Sequence, residues 1–161
     1  MSAATPALEV FMTPAQLLDH WQGHRRLTRR VIEAFPDAQF TTFSVGGMRS
    51  FGLLAVELLR MAAPTVQGVL TDSWTEGVSA DAKPKAEVLR LWDESTARMN
   101  ELWPKIPSAH FQRTITAFGQ YTMRTNDLIM YCVDNEIHHR GQGYVYLRAL
   151  GIEPPAFWER G

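Results

Sequence analysis

The sequence has a single cysteine, Cys132, so no disulfide can form within the chain and a reducing compartment suits it. No run of eighteen consecutive apolar residues occurs, which argues against a membrane span. Residues 1–6 lack the basic and apolar regions of a signal peptide, so a cytoplasmic location is expected. A net charge of -1 gives no general attraction to nucleic acid or to a membrane surface. There is no internal repeat and no convincing strand. What is present is 161 residues, 45% hydrophobic and 20% charged, enough for one domain (1–161) with a sizeable core.

Thr13-Pro14 starts a first helix, with a hydroxyl N-cap before proline at the first helical position. Leu17, Trp21, His24, Thr28, Val31 and Phe35 recur at helical steps and form its inward face. Arg25, Arg26, Arg29 and Arg30 lie on the outer face, read as solvated with i,i+4 partners rather than as a phosphate patch. Phe40–Val45 is a β-prone connection broken by Gly46-Gly47. A second helix runs from near Met48 to Ala63, with Leu54, Glu57 or Leu58, and Met61 inward. Pro64 kinks or ends it, and residues 65–74 keep a helical step. A polar loop at 75–83 precedes a third helix opened by Pro84, with Val88, Leu91, Ser95, Met99 and Leu102 on one face. Residues 108–122 read as a crossover loop with a short helical turn. A fourth helix spans Thr125 to Leu150 with Gly151 as its C-cap, and Phe157-Trp158 are expected to dock back. The pattern predicts an all-α four-helix bundle whose long connections allow a crossover.

Residues 134–142 put two histidines, two carboxylates, an amide and a guanidinium into the fourth helix. The seam Leu128, Cys132, Asn135, His139, Gly143 (or Gln142), Tyr146, Leu150 places Asn135 and His139 one turn apart and inward. Glu57 lies on the inward line of the second helix, where a carboxylate is costly unless paired or bound to a cation. Two arrangements follow: a divalent metal on Glu57, Asn135 and His139, or a hydrogen-bonded cluster of the same residues. His24 can join either. Glu136 and Arg140 have the spacing of a flank salt bridge. Gly141 and Gly143 suggest close approach by another helix or a ligand. Cys132 reads as an inert small hydrophobe, and His20 and His110 as surface or loop residues.

The run Asn135-Glu136-Ile137-His138-His139-Arg140-Gly141-Gln142 resembles the DinB/YfiT-like family of small helical proteins, as do Tyr146-Leu147-Arg148, Leu150-Gly151-Ile152 and Pro154-Pro155. Met48-Arg49-Ser50-Phe51-Gly52 is similar to the family's second-helix start. The resemblance implies an up-down-down-up bundle, often a homodimer. It also implies a divalent metal (zinc, nickel or manganese) on one histidine of the second helix and two of the fourth. By position these fall on Glu57, Asn135 and His139, of which His139 keeps the type. Tyr131, His138 and Gln142 would line the pocket, with His24 and Glu136 close behind. The implied chemistry is metal-assisted S-transfer or isomerisation with a low-molecular-weight thiol such as bacillithiol or mycothiol, acting on a small-molecule substrate in a stress or DNA-damage response. The alternative is a metal-free small-molecule-binding protein that keeps the bundle without catalysis. Nucleic-acid binding through the arginine face ranks last.

Overall fold

The computed structural model describes residues 11–161. Helix α1 (Pro14–Ala34) begins in a capping box: Gln16 N–H donates to the Thr13 hydroxyl, and Thr13 N–H donates to the Gln16 side chain. Phe35, extended before Pro36, ends it. A four-residue helix α2 (Asp37–Phe40) follows and meets the expected β-prone connection, Phe40–Val45, only at Phe40; residues 41–45 connect without forming a strand. Phe40 is buried there against Phe35 and Phe51, so its aromatic character serves the core and not a strand.

Helix α3 (Phe51–Thr71) starts three residues later than expected, and Pro64 lies inside it without ending it. Residues on both sides of Pro64, including Ala62, Thr65, Val66 and Val69, are buried, and that packing outweighs one lost backbone hydrogen bond. By length and composition α3 could cross a membrane, with a mean hydropathy of 1.4 over eighteen residues. More than half of that stretch is buried among the other helices, so its apolarity is accounted for by the core. Helix α4 (Lys85–Leu102) buries Val88, Trp92, Ser95, Met99 and Leu102; Trp92 takes the fully buried place expected for Leu91. Two 3₁₀ turns, Trp103–Lys105 and Ser108–Gln112, lead to a hairpin of β1 (Thr114–Ala117) and β2 (Tyr121–Arg124). The pairing is antiparallel, from Thr114 opposite Arg124 to Ala117 opposite Tyr121. The region expected as a loop thus contains two strands, with Ile115 and Ala117 turned inward at period two. Helix α5 (Thr125–Ala149) closes the bundle, and Gly151 takes the left-handed φ of 76° that follows its C-cap.

Side-chain pairs fix the helix directions. Gln22 meets Asn100 while Arg25 meets Thr96 and Arg29 meets Asp93, so α1 and α4 are antiparallel. Trp21 meets Glu136 and His24 meets Arg140, so α1 and α5 run parallel. Thr65 meets Cys132, Glu57 meets His139, and Phe51 meets Gly143, so α3 and α5 are antiparallel. The four long helices therefore run up, down, down, up, and α1 and α3 each pack between α4 and α5. Parallel α3 and α4 require the long connection through residues 72–84.

Two surface expectations change. Arg25 is only 1% exposed, with its guanidinium over the Trp92 ring and donating to Thr96 and the Trp92 carbonyl. Arg29 pairs with Asp93 and Glu33, and Arg30 with Glu159, so the arginine face is largely neutralised. Phe157 and Trp158 do not dock: they are 67% and 68% exposed and pack on each other. The chain end is held instead by polar contacts to α1, from Arg26 to the Arg160 carbonyl and from Arg30 to the Glu159 carbonyl.

Candidate functional site

Glu57 sits in the second turn of α3 and faces Asn135 and His139 on α5. Its Oε1 accepts from His139 Nε2 at 3.0 Å and from Asn135 Nδ2 at 3.2 Å. Its Oε2 is 2.6 Å from Arg49 Nη1. Asn135 Nδ2 also lies 3.1 Å from Met61 Sδ. The other imidazole nitrogen, His139 Nδ1, is 2.9 Å from Gln142 Oε1. The sequence-predicted trio thus converges, joined by an arginine that periodicity alone does not place there.

The local chain explains why Arg49 reaches Glu57. Gly46 and Gly47 both take positive φ, 62° and 75°, and turn the chain back towards α5 just before α3. The buried Tyr146 on α5 then donates its hydroxyl to the Arg49 carbonyl at 3.0 Å. Ser50, the N-cap residue, starts α3 immediately after. The available signal in the sequence was electrostatic: a lone carboxylate on an apolar helix needs a cation, and Arg49 stands two turns upstream.

The electrostatics follow from these contacts. Hydrogen bonds from His139, opposed by burial and helped by Arg49 and Asn135, hold the Glu57 carboxyl at about 2. Burial opposes the charged form of His139, but its bonds to Glu57 and Gln142 outweigh burial and raise its pKa. Both ring nitrogens face acceptors, so the imidazolium satisfies both contacts. No free lone pair is then left for a general base.

The remaining predicted residues divide by helix face. Exposed His138 stacks edge-on to His139 at 5.1 Å and lies 3.5 Å from the Gln142 amide. Tyr131 lines an open cavity of about 580 Å³ that Glu57 borders. Glu136 lies on the opposite face of α5, against α1 and its His24, and neither residue is brought to this cavity. Glu136 accepts from Thr28 Oγ1 at 2.7 Å and Trp21 Nε1 at 3.3 Å. Arg140 donates to the His24 carbonyl and the Thr28 hydroxyl, both at 3.2 Å, and its Nη2 lies 3.0 Å from His24 Nδ1. The expected flank salt bridge between Glu136 and Arg140 is replaced by these contacts, since both side chains point into the bundle. Cys132 is buried beside Thr65, and burial pushes its thiol up to about 12, so it carries no thiolate. The cavity's far wall comes from the hairpin, through Phe118, Tyr121 and Met123, none of which was expected to form part of a site.

A divalent metal does not fit this donor set. Among the described residues no group of three or more His, Cys, Asp or Glu side chains is placed to hold an ion. The convergent trio supplies one carboxylate, one imidazole and one amide, and the amide is a weak ligand. The Arg49 guanidinium already satisfies Glu57 Oε2, and His139 Nε2 faces the same carboxylate. An ion would have to displace the first and deprotonate the second.

No curated protein sequence matches the chain. Among solved structures it is similar to a DinB-like protein from Bacillus subtilis, with 20% identity, a TM-score of 0.73, and coverage of 91% of this chain and 99% of that one. YfiT from Bacillus subtilis, described as a probable metal-dependent hydrolase with an unusual four-helix bundle topology, matches at 15% identity and a TM-score of 0.66, covering 92% and 94%. The mycothiol-dependent maleylpyruvate isomerase matches at 14% identity and a TM-score of 0.62; 82% of this chain aligns with 61% of that one. Likenesses at these identities show the shared fold. The DinB family model matches residues 1–160, nearly the whole sequence, and the chain belongs to the DinB family.

Proposed function

We propose that this protein binds a small organic molecule in the cavity beside Glu57, without a divalent metal. The observation that carries the reading is the Arg49–Glu57 pair, 2.6 Å apart, which puts a side-chain cation on the carboxylate. Arg49, His139 and Asn135 together satisfy Glu57, so the site is electrostatically complete without an ion. The cavity beside it, about 580 Å³, is of the size that encloses drug-sized ligands. Small-molecule binding also accords with the isomerase among the structural relatives.

A second reading assigns a zinc, nickel or manganese ion to Glu57, Asn135 and His139 for thiol S-transfer. It is favoured by the convergence of those three side chains at the positions that the family resemblance implies. Metal analysis of untagged protein decides between the two, together with calorimetric titration with each ion. The first reading expects metal well below one equivalent and no saturable heat. Stoichiometric uptake that is lost in both Glu57→Ala and His139→Ala would establish the second. A homodimer belongs to either reading and is tested by sedimentation.

A further inference from the structure

We infer that the outer face of α5 is the interface of a two-fold homodimer, in which two α5 helices run antiparallel and cross at Gly141. The inference is independent of what the cavity holds. It goes beyond the reading above by assigning the surface, the symmetry and the contacts.

The polarity of α5 is turned over. Glu136, His139 and Arg140 point inward and are buried, while Met130, Tyr131, Ile137 and Val145 point outward at 38%, 55%, 38% and 54% exposure. Those four fall within an arc of about 120° that also contains Gly141. Within the chain α5 packs on α1 and α3, and this arc is left to solvent. Met48, from the turn before α3, extends the patch beside Gln142. A helix with a continuous apolar outer face has a surface to bury, unlike one with single scattered residues.

Gly141 marks where a second backbone comes near. It is exposed within a long helix, where glycine costs about 1 kcal/mol relative to alanine. Its φ is not positive, and a Cβ there would meet nothing within 4 Å, so nothing inside the chain requires glycine. A missing Cβ shortens the distance at which a second helix can pack.

The residues around Gly141 complement themselves when the helix is reversed. Asp134 stands seven residues before it and Arg148 seven after, and both are exposed. Neither takes part in an ion pair among the described residues, whereas Asp127 on the same face is paired with Arg124. A seven-residue step stays on one face when two helices coil gently round each other. A two-fold axis at Gly141 therefore sets each Asp134 against Arg148 of the second copy, and each His138 against its Val145. A parallel pair would instead set aspartate on aspartate and arginine on arginine. This charge complementarity selects a second copy of the chain, in antiparallel orientation, as the occupant. Tyr131, ten residues before Gly141, then meets the second copy's helix end at Gly151, ten residues after it. Tyr131 also lines the cavity beside Glu57, so the second copy completes the rim of that cavity.

Sedimentation velocity of the full-length protein tests the assignment. One helix face per subunit is a small interface, so a reversible monomer–dimer equilibrium is expected. Asp134→Arg and Arg148→Asp each place like charges at both ends of the contact and should weaken the dimer about tenfold or more. Asp134→Arg combined with Arg148→Asp restores opposite charges and should regain most of the wild-type affinity. Val145→Asp, at an exposed position that does not threaten folding, should abolish the dimer. Gly141→Ala should weaken it too, although the same change stabilises the separate subunit in dilute protein. Gly141→Cys should give a disulfide-linked dimer on mild oxidation; the wild type, whose one cysteine is buried, should not. A wild type that is monomeric at every concentration would overturn the inference. So would a dimer indifferent to Val145→Asp, or one weakened by both single charge reversals and not restored by their combination.

Discussion

Glu136 Oε1 accepts a 2.7 Å hydrogen bond from Thr28 Oγ1 inside a buried polar layer between α1 and α5. Glu136 is 1% exposed. Burial pushes its carboxyl up against the pull of Arg25, Thr28, Arg140 and Trp21. The nearby guanidiniums of Arg25 and Arg140 are themselves buried, so the layer is a set of mutually dependent charges. Removing the carboxylate leaves Arg140 without a carboxylate beside it and Arg25 with Asp93 alone. Glu136→Ala should cost about 3–5 kcal/mol, and Thr28→Val about 1–3 kcal/mol. Urea unfolding measures both. A loss below ~1 kcal/mol for Glu136→Ala would show that the layer relaxes or hydrates.

Gly143 and Gly141 test close approach separately. A Cβ on Gly143 would fall 2.4 Å from Phe51 Cε2, and that ring is fully buried and stacked on Phe35 at 4.7 Å. The ring cannot retreat cheaply, so Gly143→Ala should destabilise by about 1–3 kcal/mol despite the better helix propensity of alanine. A Cβ on Gly141 meets nothing within 4 Å. Gly141→Ala should therefore stabilise by up to about 1 kcal/mol. Thermal unfolding of the two single variants should move in opposite directions.

These two glycines also show how far the sequence could be read. Both interrupt a helix where alanine would do better, yet only Gly143 faces another element. The same ambiguity of face governs 134–142. The i,i+4 step brought Asn135 and His139 together because α5 turns that seam to α3. Glu136 and Arg140 have the same step, and the spacing suggested a surface pair. The partners that bury them, Thr28, Trp21 and His24, lie more than a hundred residues upstream, and helical spacing carries no information about them. Arg25 escaped for a similar reason, since in a run of arginines nothing local marks the one that enters the core. The hairpin was hidden by its four-residue strands, too short for alternation to stand out before a long helix.

Acid should loosen the α1 side before the Glu57 site. Burial, then the charges of Arg140, Arg160 and His20, hold His24 at about 4, against 6.5 for an ordinary histidine. The unfolded chain takes up a proton that the folded chain refuses, so stability falls as pH drops from about 6.5 to about 4. Glu57, depressed from 4.5 to about 2, contributes fully above pH 4.5 and loses its contribution as pH falls towards 2. His139 is raised, so its contribution is full below 6.5 and fades as pH rises through its folded value. Calorimetric Tm profiles separate these groups. His24→Gln should flatten the decline between pH 6.5 and 4, whereas Glu57→Gln should change the slope below about 4.5 and, because Glu57 is what raises His139, above about 6.5 as well. A wild-type profile that is flat from 6.5 to 4 would rule out His24 as the acid-sensitive group.

Arg49 is the group whose removal should most change what the α3–α5 seam accepts. Its guanidinium holds Glu57 Oε2, while Tyr146 fixes its backbone, so Arg49→Met opens a carboxylate oxygen without disturbing the start of α3. The single substitution leaves one imidazole and one carboxylate, still a weak set for a divalent ion. Adding Asn135→His puts a second imidazole one helical turn from His139, on the same face towards Glu57. Cobalt(II) absorption should then be absent in wild type, faint in Arg49→Met, and strong and saturable in the double variant. Asn135→His with Arg49 intact should bind at least about tenfold more weakly than the double, because the ion and the guanidinium compete for Glu57. If Asn135→His alone binds cobalt as tightly as the double variant, Arg49 is no barrier, and the amide at 135 is what separates this site from a metal centre.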